Sequence, residues 1–109
     1  MNITITGRHL TVDQDVKEYA EKKFAKFEKY FHKTFDANVV FSLEKVAKVV
    51  EAHLTCDGIK FHGSEKSETF FASIDLLLDK LDKQIVKYKE KHSEHKGIRN
   101  EISDSETDF

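Results

Sequence analysis

Residues 69–92, TFFASIDLLLDKLDKQIVKYKEKH, read as one long helix. Phe70, Ile74, Leu77, Leu78, Leu81, Ile85 and Tyr88 recur at spacings of three and four, the period of a helix with one buried stripe. At about 100° per residue these side chains fill a single arc of the helical wheel. Lys80, Lys83, Lys87 and Lys91 fall on one flank of that arc, and Asp75, Asp79 and Asp82 on the other. A solvated face normally mixes its charges. Here they are sorted, which points to a polyanionic partner.

Working outward, the segment before this helix alternates. Ile59, Phe61 and Gly63 share one side of a strand, and Lys60, His62 and Ser64 the other. Val50, Ala52, Leu54 and Cys56 alternate with Val49, Glu51, His53 and Thr55 in a second strand, and Val39, Phe41 and Leu43 with Val40, Ser42 and Glu44 in a third. Asp57-Gly58 is a two-residue hairpin signal, since a type I′ turn needs positive φ at both positions. That turn pairs residue 53 with 62. Lys45–Lys48 is the expected turn between the other two strands. Near the N-terminus, Ile3 and Ile5 alternate with Thr4 and Thr6 in a short strand. Thr11 and Gln14 have capping-box spacing and open a first helix running to about residue 32.

On that helix Val16, Tyr19, Ala20, Phe24, Phe27, Tyr30 and Phe31 form the apolar arc. Lys22, Lys26, Lys29 and Lys33 lie on one flank, and Glu21 and Glu28 on the other. Both helices thus carry a lysine rail in the same rotational sense. The fold class is α+β, a two-layer β-α-β-β-β-α sandwich with a four-stranded, largely antiparallel sheet and two helices packed on one face. Residues 1–95 make the domain. Residues 96–109 lose periodicity and turn acidic, and are expected to be a disordered tail.

The chain has 109 residues, 35% of them charged, and a formal net charge of −2. From Gly97 onward there is one basic residue, Arg99, and four acidic ones. Without them 17 of the 18 basic and 16 of the 20 acidic residues remain, so the body is near neutral. Any nucleic-acid reading rests on where the lysines sit, not on their number. The single cysteine, Cys56, excludes an internal disulfide and a CxxC zinc site and fits a reducing compartment. It is expected to face the core, where a thiol is inert. No charged leader with an apolar run opens the chain, and no stretch approaches the ~18 apolar residues of a membrane span. These features fit a soluble cytoplasmic protein.

The lysine rails are candidates for phosphate contact, where ammonium groups along a helix track a nucleic-acid backbone. A solvated helix face with i,i+4 pairs is the plainer alternative. Two rails of one polarity weigh against it. His53 and His62 would sit side by side on the open sheet face. With no third ligand in view they read as polar residues on a wet face, as do His92 and His95. There is no Gly-rich phosphate loop, GxSxG or HExxH, so neither catalysis nor a cofactor is expected. The aromatics fall mostly on core positions, Phe70 and Phe71 included. A base-stacking sheet would place them on the open face. In element order the chain also resembles a double-stranded-RNA-binding domain, without that family's GPxH loop or its lysine cluster opening the second helix. A general RNA-binding module is therefore one alternative, and a protein–protein adaptor using the polar sheet face another.

Several motifs carry a more specific resemblance. They are Ile5-Thr6-Gly7, Lys23-Phe24-Ala25-Lys26-Phe27-Glu28-Lys29-Tyr30-Phe31, Glu44-Lys45-Val46, and Ala72-Ser73-Ile74-Asp75 through Asp79-Lys80-Leu81-Asp82-Lys83-Gln84 to Lys87-Tyr88-Lys89. Over roughly residues 1–93 the chain resembles the ribosome hibernation-promoting factor and ribosome-associated inhibitor A family in its short form. The resemblance implies a domain that lodges in the mRNA and tRNA channel of the small ribosomal subunit and silences translation under stress or in stationary phase. It implies 16S rRNA contacts by Lys22, Lys23, Lys26, Lys29, Lys80, Lys83, Lys87, Lys89 and Lys91. It also implies no DNA or membrane partner, a monomer off the ribosome, and a separate factor for ribosome pairing. This chain has Thr69 where the family often has Asp at the cap of the second helix, a conservative swap for capping, and Lys83 where it often has Arg, which removes a bidentate phosphate donor. No second domain is expected after the first. The acidic tail is similar to the tailed inhibitor branch and the body to the promoting branch, so promotion and opposition of ribosome pairing both stay open.

Overall fold

The computed structural model describes residues 1–31 and 33–93, with side chains through residue 90. The expected acidic tail, and the side chains of Lys91, His92 and His95, lie outside the described residues. The elements are β1 (Asn2–Gly7), α1 (Gln14–Phe24) continued by a 3₁₀ segment (Ala25–Tyr30), β2 (Asp36–Glu44), β3 (Ala47–Cys56), β4 (Ile59–Ser67) and α2 (Phe70–Ser93). The sheet order is β1-β2-β3-β4. β1 runs parallel to β2, and the other neighbours are antiparallel. This is the expected α+β sandwich.

Asp57 and Gly58 have φ of 55° and 83°, so the turn is of type I′. It sets Cys56 opposite Ile59 and His53 opposite His62, as the sequence predicts. Between β2 and β3 the turn is tighter than expected. Glu44 pairs with Ala47, leaving only Lys45 and Val46 to reverse the chain. Lys45 takes φ of 60° to do so.

One sheet face is apolar. Ala37, Val39 and Phe41 of β2, Val50, Ala52 and Leu54 of β3, and Phe61 of β4 are buried there. Over them lie Val16, Ala20, Phe24 and Phe27 from the first helix, and Ile74, Leu77, Leu81 and Ile85 from α2. Two expected core residues escape. Leu43 is 52% exposed because α2 begins at Phe70. Phe70 packs edge-on against Phe41 at 5.2 Å, one pleat short of Leu43. Phe71 is 40% exposed and meets Tyr19 edge-on at 5.0 Å.

The first helix also departs from expectation. It starts at Gln14, with Asp13 as its cap residue and no side-chain cap. Thr11 therefore makes no capping box, and the Gln14 amide bonds to Glu18 at 3.2 Å instead. After Phe24 the α-helix tightens to 3₁₀. In a 3₁₀ segment residues three apart eclipse one another. Phe24, Phe27 and Tyr30, spaced by three, thus form one column, Phe24 meeting Phe27 edge-on at 5.8 Å and Phe27 stacking on Tyr30 at 6.3 Å. The tightening keeps this column over the core where a straight α-helix would turn part of it away. α2 is capped as expected, the Ala72 amide donating to the Thr69 hydroxyl at 3.0 Å.

Candidate nucleic-acid interface

Contacts advance together along the two helices. Tyr19 meets Phe71 and Asp75, and Tyr30 meets Asp82. The helices therefore run side by side in the same direction. Two such helices with lysines on the same rotational side place the lysine flank of one against the acidic flank of the other. The structure does this. Lys23, Lys26 and Lys29 line one wall of a groove whose other wall is Asp75, Asp79 and Asp82. The 3₁₀ tightening aligns Lys23, Lys26 and Lys29 rather than the Lys22–Lys26–Lys29–Lys33 rail of a straight helix. Lys33 points elsewhere, to Asp57 at 3.6 Å.

Two tyrosines clasp the helices across this groove. The Tyr19 hydroxyl donates to Asp75 at 2.7 Å, and the Tyr30 hydroxyl donates to Asp82. The hydrogen bond to the carboxylate, with burial and the carboxylate's charge behind it, raises the pKa of each phenol above its ordinary value. A raised folded-state pKa stabilises the fold below the ordinary tyrosine pKa, and that contribution is lost as pH climbs through the folded value. It is therefore fully present at neutral pH. Tyr30→Phe is expected to cost about 1 kcal/mol of stability, read as a lower melting temperature at pH 7, with the difference from wild type shrinking in strong alkali.

The other flank of α2 lies over the outer edge of β4. An open edge strand leaves carbonyls unpaired, and α2 supplies donors for two of them. Gln84 Nε2 donates to the His62 carbonyl at 2.8 Å, and Lys80 Nζ to the Ser64 carbonyl at 3.2 Å. Lys80 also pairs with Glu65 at 2.8 Å. Lys80 is thus part of the fold as well as of the rail. Lys89 is similar, its ammonium donating to the Tyr30 carbonyl that ends the 3₁₀ segment at 2.7 Å.

The candidate lysines accordingly differ. Lys23 and Lys29 lie over the Tyr19 and Tyr30 rings at 5.2 and 5.1 Å, cation–π distances. Lys83 has one exposed ion pair, with Asp79 at 3.5 Å. Among the described residues no carboxylate reaches Lys22, Lys26 or Lys87. The structure brings Lys23, Lys26 and Lys29 together in the groove, sets Lys80 apart from them at the β4 edge, and turns Lys83 back to Asp79 of the groove wall. Sequence reasoning missed the structural duties of Tyr19, Tyr30 and Gln84. The only signal for the first two was their place at the margin of the apolar arc.

Elsewhere, His53 and His62 stack with ring centroids 5.7 Å apart, and His53 lies 3.2 Å from Glu51. Among the described residues no three His, Cys, Asp or Glu side chains gather to hold a metal. Cys56, expected inside the core, is only partly buried. It ends β3 beside the turn, opposite Ile59, and lines a small pocket with Ile59, Phe61 and Tyr88. No described helix is long and apolar enough to cross a membrane.

Fold and surface together define a class, a small two-layer α+β domain whose helical layer carries unpaired lysines on either side of an acidic seam. The chain belongs to the sigma 54 modulation protein / S30EA ribosomal protein family, whose sequence profile matches residues 3–93. It is 36% identical over 95 residues to the ribosome hibernation promoting factor of Escherichia coli K12, covering 87% of this chain and 100% of that protein. Its identity to the ribosome hibernation promoting factor of Azotobacter vinelandii is 35% over 94 residues, covering 86% and 88%. Among solved structures it is similar to the N-terminal domain of Thermus thermophilus Protein Y, with TM-score 0.74 and 29% identity over 81% of this chain and 99% of that one. A ribosomal subunit interface protein from Coxiella burnetii has TM-score 0.75 and 26% identity, over 84% and 100%.

Proposed function

We propose that this protein is a ribosome hibernation factor that acts by occupancy rather than catalysis. It binds the small subunit in the channel used by mRNA and tRNAs, and its lysines neutralise 16S rRNA phosphates. The observation that carries this reading is full-length similarity to a hibernation promoting factor, 100% of which this chain covers at 36% identity. Supporting it, Lys22, Lys26 and Lys87 have no ion-pair partner among the described residues. Unpaired lysines are what a phosphate backbone requires, because each contact releases a condensed counterion. In this reading the protein is cytoplasmic, a monomer off the ribosome, and leaves ribosome pairing to a separate factor.

Co-sedimentation with 30S and 70S particles across a salt series tests it. Saturable, near one-to-one pelleting that fades at high salt and survives excess tRNA is the expected result. Loss to excess tRNA would instead assign a general RNA-binding module. Absence of pelleting at low salt would overturn the reading.

A further inference from the structure

We propose that the groove between the first helix and α2 is a nucleotide site selective for guanine. The groove has a volume of about 330 Å³, within the range of pockets that take small ligands. Its walls are opposite in charge. Lys23, Lys26 and Lys29 form one, Asp75, Asp79 and Asp82 the other, and Phe27 and Leu78 lie between them. No ion pair closes across the groove: none of these lysines is within ion-pair distance of a carboxylate among the described residues.

The three aspartates are not equivalent. Asp75 and Asp82 each give an oxygen to a tyrosine hydroxyl. Asp79, between them in sequence, has among the described residues one ion-pair partner, exposed Lys83 at 3.5 Å. The clasped pair fixes the wall, and the carboxylate left available is the central one.

A fitting ligand has an anionic end for the lysines, a flat apolar body for Phe27 and Leu78, and hydrogen-bond donors for Asp79. A nucleotide meets all three requirements. Guanine meets the last best. Its ring N1–H and exocyclic amino group lie side by side and match the two oxygens of one carboxylate, which only accepts. Adenine and cytosine place an acceptor nitrogen beside their amino group, and that lone pair faces the carboxylate unfavourably. The guanine comes either from an everted RNA nucleotide, read on its base edge, or from a free guanine nucleotide. Only the first source rests on the function proposed above.

The test is titration of the full chain with GMP, AMP and CMP, and with the pentaribonucleotides UUGUU and UUAUU. The guanine ligand is expected to bind at least tenfold more tightly than its adenine counterpart. Asp79→Asn should erase that preference, because an amide offers one acceptor and one donor and so matches the adenine edge as well as the guanine edge. Lys26→Gln should weaken all nucleotides alike. Tight GMP binding identifies a free nucleotide as sufficient, and preference seen only with UUGUU identifies RNA as the source. Equal affinity for guanine and adenine ligands, or a preference that survives Asp79→Asn, overturns the proposal. Failure of 30S co-sedimentation would strike the ribosomal reading and leave the GMP titration to stand or fall alone.

Discussion

Replacing Lys83 and Lys87 together by glutamate is expected to lower affinity for the 30S subunit by about a hundredfold or more, roughly 2.7 kcal/mol. Each lysine that neutralises a phosphate contributes nearly one unit to the slope of log affinity against log salt. The double variant should therefore also bind with a slope shallower by about two. The fold should tolerate the change. Lys83 gives up one exposed i,i+4 pair with Asp79, worth about 0.3–0.5 kcal/mol. Lys87 has no ion pair among the described residues, and glutamate is as good a helix former as lysine. Unchanged affinity and salt slope, with a normal melting curve, would remove the α2 flank from the interface. Lys80 is a poor choice for the same test. Its Nζ lies 2.8 Å from Glu65 and bonds the Ser64 carbonyl, so reversing its charge disturbs fold and binding at once.

That contrast marks how far the sequence could be read. On a helical wheel Lys80, Lys83 and Lys87 are equivalent, and period alone places them on one flank. The wheel describes rotation about one helix axis. It does not say which neighbour each flank meets. The structure gives α2's lysine flank to the β4 edge and its acidic flank to the first helix. Part of the charge sorting that pointed to an outside partner is thus complementarity between two helices of one chain. The strands were legible because alternation and the Asp57-Gly58 turn are local signals, and together they set His53 opposite His62. The 3₁₀ segment was hidden for the opposite reason. Phe24, Phe27 and Tyr30 fit an α-helical arc nearly as well as a 3₁₀ column, and the packing against the sheet decides between them. Leu43 and Cys56 carry the alternation of core residues, but they stand at strand ends that the helical layer covers only in part.

Gly63→Val is expected to destabilise the protein by about 2–3 kcal/mol, at the upper end for overpacking. For a domain of this size that lowers the melting temperature by roughly 10–20 °C. Gly63 lies on the core face of β4, opposite Ala52 and beneath α2. A Cβ placed there would stand 3.1 Å from Leu77 Cδ1, 3.1 Å from Lys80 Cδ and 3.8 Å from Leu81 Cδ2. Alanine needs those side-chain ends to give a little, so Gly63→Ala should cost less. Valine adds two methyl groups against the buried Leu77 and Leu81 and has no such room. The close approach also determines whether α2 can reach the sheet edge. Gln84 and Lys80 bond the carbonyls of His62 and Ser64, the residues on either side of Gly63. Pushing α2 outward should therefore loosen the edge as well as the core. The Gln84 side-chain amide hydrogens should then exchange faster with solvent in Gly63→Val than in wild type. An unchanged melting temperature would mean that α2 yields without cost, and that something other than the glycine holds it against β4.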